Sequence, residues 1–383
     1  MQSRVGSVSI LEEGQIPPRI IIHQRNNHLP LRLLLLFLLL GVGLVFLYVS
    51  MYTYGCIRIH DFSSSRIQTH QACVQRLASW TRPPLTLVHE MNDTELFSCA
   101  SSSLNKLPSN RTPKIAFMFL TRGPLPLSPL WDKFFQGNDR LYSIYIHSSP
   151  TYDPDFDPSS PFYGRQIPSQ VAEWGRMSMC DAERRLLANA LLDVSNEWFV
   201  LVSEACIPLK NFSTIYTHIS QSQLSFLGAF DEDSPNARGR YNWGMEPEVN
   251  LSDWRKGSQW FELSRKLAVE VVRDAFYYPK FKYFCRADSC YSDEHYLPTM
   301  LTLLSPRLLA NRTLTWVDWS RGGPHPALYD VGELTENFFK DVVDGESCMY
   351  NNHTTNLCFM FLRKIAPSAL DHLLSHSLEF FGF

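Results

Sequence analysis

One uncharged run, Leu33 to Met51, constrains this chain more than any other feature. Its length matches a helix crossing the hydrocarbon core of a bilayer, about 20 residues, and no Asp, Glu, Lys or Arg interrupts it. A cleaved signal peptide would have a shorter apolar core nearer the N-terminus and a small-residue cleavage site, whereas Tyr52, Tyr54 and Cys56 follow this run. An uncleaved anchor is therefore expected. Arg4, Arg19, Arg25 and Arg32 precede the run against Glu12 and Glu13, so the positive-inside rule places the N-terminus in the cytosol and everything after the anchor in the lumen or outside the cell.

Two features agree with that orientation. N-x-Ser/Thr sequons without a central proline follow the anchor at Asn92, Asn110, Asn211, Asn250, Asn311 and Asn352, and none precedes it. Cys56 lies beside the membrane, and the other cysteines suit an oxidising compartment. Among them, Cys285 with Cys290 and Cys348 with Cys358 are close enough in sequence to be expected as local pairs. No CxxC or cysteine–histidine spacing favours zinc.

Net charge is −3 with both signs mixed, which argues against a nucleic-acid partner. The expected organisation is a cytoplasmic tail (1–32), a signal-anchor (33–52), a Ser/Thr/Pro/Asn-rich lumenal stem (53–112) and one domain (113–383). Within that domain Lys114–Leu120, Leu141–Ile146, Trp198–Val202 and Leu224–Ala229 read as strands buried on both faces. Cys180–Leu192 and Gln259–Arg273 have helical periodicity. Alternation of the two predicts an α/β fold with a mostly parallel sheet, whose ligands bind beyond the strands' carboxyl ends. Those ends are Thr121-Arg122-Gly123, His147-Ser148-Ser149 and Ser203-Glu204.

An ordered set of motifs then carries a resemblance: Ile115–Gly123, Tyr145-Ile-His147, Trp174-Gly175, Phe199–Leu209, Tyr291-Ser-Asp-Glu-His295 and Trp316–Pro326. Over residues 113–383 the chain resembles the plant branch of the core-2/I-branching β-1,6-N-acetylglucosaminyltransferase-like proteins, glycosyltransferase family 14. The resemblance implies a GT-A-like, Rossmann-like fold in a single-pass type II Golgi membrane protein. It also implies inverting, metal-independent transfer from a UDP-sugar, with N-acetylglucosamine as the inherited donor sugar, to a glycan or glycoprotein hydroxyl. No cofactor beyond the donor substrate is implied.

Such a reaction needs a general base at the acceptor hydroxyl and positive charge at the departing diphosphate. Glu294 matches the family's catalytic glutamate, with Asp293 beside it. From the residues alone, the acidic pair equally reads as the start of a helix over Tyr296–Leu304. Lys364 matches the family's phosphate-binding lysine. Arg363 offers a second cation, or forms with Lys364 a basic helix surface. Asp231-Glu232-Asp233 matches an Asp-x-Asp metal motif by letter, so a metal-dependent transferase using Asp231 and Asp233 is an alternative; a solvated acidic turn is the plainer reading.

His147, Thr121 and Arg122 are expected on the donor side. Trp319 is expected to contact the acceptor, with Trp254–Trp260 as an acceptor-side loop and Glu248 as a hydroxyl partner. Trp316 and Trp319 equally suit a core, Glu204 a buried structural hydrogen bond, and Arg321 and His325 either the cleft or a turn. A non-catalytic glycan-binding or scaffold membrane protein of the same fold is the other alternative.

Overall fold

The computed structural model describes residues 33–51, 86–102, 111–286 and 289–383. The chain divides into two compact units, 1–66 and 67–383. In the first, Leu33–Met51 is a single helix, α1, with a hydropathy of 2.8 and every residue exposed. A helix this apolar, exposed along its whole length, suits lipid, as a membrane anchor requires.

The second unit opens with α2 (Asp93–Ser102), followed by β1 (Lys114–Leu120), α3 (Ser128–Phe135), β2 (Tyr142–His147), α4 (Met177–Leu191) and β3 (Asn196–Ser203). Next come β4 (Cys206–Pro208), α5 (Phe212–Ser220), β5 (Glu262–Ser264), α6 (Arg265–Arg273), α7 (Tyr278–Phe284) and α8 (Tyr296–Leu304). The chain continues through β6 (Thr315–Val317), α9 (Glu336–Asp344), β7 (Cys348–Tyr350), β8 (His353–Thr355), β9 (Phe361–Arg363) and α10 (Leu370–Phe381).

The central sheet has the order β2-β1-β3-β5, parallel except for β5. The central strands β1 and β3 carry unbroken apolar runs, Ile115–Leu120 and Trp198–Val202, because both faces are covered. Ala116, Met118 and Leu120 of β1 face a layer containing α4 and α6, while Ile115, Phe117 and Phe119 face α3 and α5. The result is a three-layer α/β arrangement. A second sheet, β4-β9-β6, packs through Ile207 and Leu362 in one cluster with Leu334, Phe339 and Leu373. Cys285–Cys290 and Cys348–Cys358 are disulfides, as their spacing suggested.

Three expectations change. Leu224–Ala229 is not a strand: Ser225 and Phe226 make only isolated pairings with Leu309 and Glu262, because the segment crosses the sheet edge rather than running along it. Gln259–Arg273 divides at Ser264, since Glu262–Ser264 pairs antiparallel with β3 before α6 begins. Arg363 lies on β9, not on a helix.

Part of the segment expected as stem belongs to the folded unit. Helix α2 buries Leu96, Cys99 and Ala100 in the same core as α4 and α6. Arg185 of α4 binds Asp93 through two hydrogen bonds of 2.9 and 2.7 Å. Leu96 is 3% exposed, so Leu96→Ala should cost about 2–4 kcal/mol. Thermal unfolding should show that loss together with faster proteolysis between residues 86 and 102; a chain as stable as wild type would mean that α2 is not part of the core.

Candidate functional site

Parallel register brings the strand ends level: Leu120 of β1 pairs with His147 of β2 and with Ser203 of β3. The second sheet meets this edge, with Arg363 of β9 in register with Cys206 of β4 and Val317 of β6. Residues just beyond these strands form one cleft of about 550 Å³. Thr121 and Arg122, His147 to Pro150, Ser203 and Glu204, and Arg363 and Lys364 line its sheet side. Asp293 and Glu294, the 256–260 segment, Trp319 and Pro324 to Pro326 complete its lining.

Glu294 is held there by its backbone. Ser292–Glu294 forms a short 3₁₀ turn, which follows the Cys285–Cys290 disulfide and Tyr291 in a left-handed conformation at φ 51°. The Gly257 amide donates to the Glu294 carbonyl at 2.8 Å. Next to it, His295 Nδ1 lies 2.8 Å from the Arg255 carbonyl and its ring stacks on Trp254 at 4.5 Å. The Glu294 carboxylate, a quarter exposed, accepts from Arg240 Nη1 at 2.7 Å and lies 3.5 Å from Lys256 Nζ. Arg240 in turn sits 4.5 Å over the Tyr291 ring.

Asp293 has the opposite environment. It is 7% exposed, its Oδ1 has no hydrogen-bond partner, and burial, then the Glu294 charge, pushes its carboxyl up to about 6. Beneath it Glu183 is fully buried and accepts from Gln259 Nε2 at 2.9 Å. Burial, then the nearby Asp293, pushes Glu183 well above the usual carboxylate range. At the β9 end of the cleft, burial lowers the pKa of both Arg363 and Lys364, and the charge of Glu204 works against that for each.

The pattern of the Core-2/I-branching enzyme matches residues 115–343, which include the ends of β1, β2 and β3 and Glu294 but not β9. The chain belongs to the Core-2/I-branching enzyme family. It is also 36% identical over 309 residues, 69% of this chain and 77% of the relative, to "Glycosyltransferase BC10" of Oryza sativa subsp. japonica. The folded unit is therefore a glycosyltransferase domain of this family, with the GT-A-like α/β arrangement that its motifs implied.

Of the expected site residues, Glu294, Lys364, Arg363, His147, Thr121, Arg122 and Trp319 all line this cleft. Trp319 is 52% exposed, which suits a contact surface rather than a core. Thr121 uses its hydroxyl on its own turn, accepting from the Gly123 amide at 3.1 Å. His147 is buried, and desolvation, then Arg185, lowers its imidazole to about 4. Glu248 lies outside the cleft, 2.6 Å from Lys280 of α7. Asp231 is also outside, held by Arg238 through hydrogen bonds of 2.7 and 2.8 Å, while Glu232 of the same triplet lines the cleft. Glu204 faces the cleft, not a buried hydrogen bond. His325 lines it too, whereas Arg321 pairs with Glu333.

Sequence reasoning missed Arg240, which precedes the cleft segment by sixteen residues of irregular chain and has no motif around it. Trp174 was visible only as part of the Trp174-Gly175 motif. It stands at the mouth, its ring 4.9 Å from Tyr291 and 5.3 Å from His325. Of the sequon asparagines, Asn92, Asn250, Asn311 and Asn352 are exposed, Asn211 is half-buried at the start of α5, and Asn110 lies outside the described residues.

Gly257 is the tightest point of this construction. A Cβ there would lie 1.9 Å from the Gly228 carbonyl oxygen and 3.0 Å from Pro298 Cγ. Gly257→Ala should destabilise by about 1–3 kcal/mol and, by displacing Glu294, lower turnover roughly 10²-fold in the protein that remains folded. Gly332→Ala, which meets nothing within 4 Å, is the control for both the thermal midpoint and the turnover. Equal behaviour of the two variants would contradict the backbone tether.

Proposed function

We propose that this protein transfers a sugar from a UDP-sugar to a hydroxyl of a glycan or glycoprotein with inversion at the anomeric carbon. The observation that carries the reading is the convergence, in one cleft at the strand ends, of the Glu294 carboxylate with Lys364 and Arg363. These residues are about seventy positions apart in sequence and come together only through the pairing of β9 with β4 and β6.

In this reading the acceptor oxygen attacks the anomeric carbon while Glu294 takes its proton. The bond from that carbon to the diphosphate breaks, and UDP leaves with its added charge facing Lys364 and Arg363. Arg122 extends the donor side beside His147. Trp319 and Trp174 offer exposed aromatic faces to the apolar faces of sugars. Basic side chains do the work that a divalent metal does in other transferases, and N-acetylglucosamine is the donor sugar that the resemblance implies. The α1 helix anchors the protein in the Golgi membrane in type II orientation, with the cleft and the glycosylated asparagines lumenal.

Transfer or hydrolysis should be detectable as UDP release from a panel of UDP-sugars. Glu294→Gln should lower it roughly 10²–10⁴-fold while UDP affinity stays within about twofold, because the substitution removes the proton acceptor and not a phosphate contact. Activity that survives the change would remove Glu294 from this role, and UDP binding without turnover on any donor would favour the non-catalytic reading. Activity should persist in excess EDTA; loss restored by Mn²⁺ would support a metal site near Asp231, Glu232 and Asp233 instead.

A further inference from the structure

Arg363 is held on two sides by neutral groups. Its Nε donates to Ser203 Oγ at 3.1 Å, and its guanidinium carbon lies 4.5 Å from the centroid of the Trp260 ring. Ser203 is itself fixed from below: its hydroxyl lies 3.3 Å from Cys206 Sγ, and its amide donates to the same sulfur at 3.2 Å. Cys206 is fully buried and Trp260 is 5% exposed, so both supports belong to the core. The charges of Glu204 and Asp293 reach Arg363, yet among the described residues it pairs with neither of them. With its face on an indole and its Nε occupied, the guanidinium has its terminal N–H groups left for the cleft that it lines.

We propose that Trp260 and Ser203 are positioning residues that fix Arg363 as a planar, two-pronged receptor for the diphosphate of a nucleoside diphosphate sugar. This rests on the donor reading above. A guanidinium suits the role because its fork matches two phosphate oxygens at once and its flat face stacks on an aromatic ring, neither of which an ammonium reproduces. The indole replaces water on one side of the cation and keeps it from collapsing onto Glu204 or Asp293 when no donor is bound.

The test is calorimetric binding of UDP and of uridine to the full-length protein in detergent. Trp260→Leu should weaken UDP by about tenfold and uridine by less than about twofold, while Trp260→Phe, which keeps an aromatic face, recovers most of the loss. Arg363→Lys should weaken UDP comparably. The double variant Trp260→Leu/Arg363→Lys should bind no more weakly than Arg363→Lys alone, because Trp260 acts through Arg363. Ser203→Ala, close to isosteric, should weaken UDP by about threefold and serves for the same cycle if Trp260→Leu fails to fold, as judged by its thermal midpoint. Additive losses, or equal losses for UDP and uridine, would overturn the proposal. Unchanged UDP affinity in Trp260→Leu would overturn it while leaving the donor reading intact, whereas a wild-type protein that binds no UDP would remove both.

Discussion

Parallel pairing of β1 with β2 and β3 is the constraint on which the site depends. Because Leu120, His147 and Ser203 end level, the residues after them emerge along one edge, where backbone groups are no longer used by the sheet. The short second sheet then has to meet that edge for Arg363 and Lys364 to face the same space, and the Cys206–Arg363 pairing achieves this. A slip of one residue in either pairing would turn every side chain to the other face. The cleft would then lose its cations before it lost its shape.

Much of the fold was legible because both faces of the central strands are buried. Ile115–Leu120 and Trp198–Val202 are continuous apolar runs for that reason, and Met177–Leu191 carries apolar residues at helical spacing where it packs on them. Leu224–Ala229 has the same apolar content but buries it through isolated pairings, so composition could not separate burial from strand geometry. The second sheet was illegible: β4, β6 and β9 have three residues each, and β4 pairs with β9 across more than 150 positions. Glu294 and Lys364 could be placed through the family motifs. Arg240 could not, since only the tertiary fold brings it to Glu294. Glu248 failed for the converse reason, being near the 254–260 loop in sequence but turned toward Lys280.

The cleft also separates two adjacent carboxyl groups by environment alone. Asp293 and Glu294 are neighbours on one turn, yet Asp293 is sealed over Glu183 while Glu294 reaches the open space beside Arg240 and Lys256. Desolvation, then the Glu294 charge, raises the carboxyl pKa of the buried member. The partly exposed member can meet an incoming hydroxyl, which must share or displace the Arg240 contact. Paired carboxyls with diverging environments are a common basis for dividing roles at a site. Here the division follows from the Gly257 tether, which sets how far the turn projects into the cleft.

A transferase in which Glu294 acts as the base and no protein carboxylate as the nucleophile inverts the anomeric carbon in a single displacement. The anomeric configuration of the first product therefore tests the account most directly. Proton NMR of the transfer product formed from an α-linked UDP-sugar should show the large anomeric coupling of a β-linked gluco-configured sugar from the earliest time point. An α-linked product would contradict the account, because attack on the face opposite the departing diphosphate inverts the anomeric carbon, whereas retention needs either attack on the leaving-group face or a covalent intermediate.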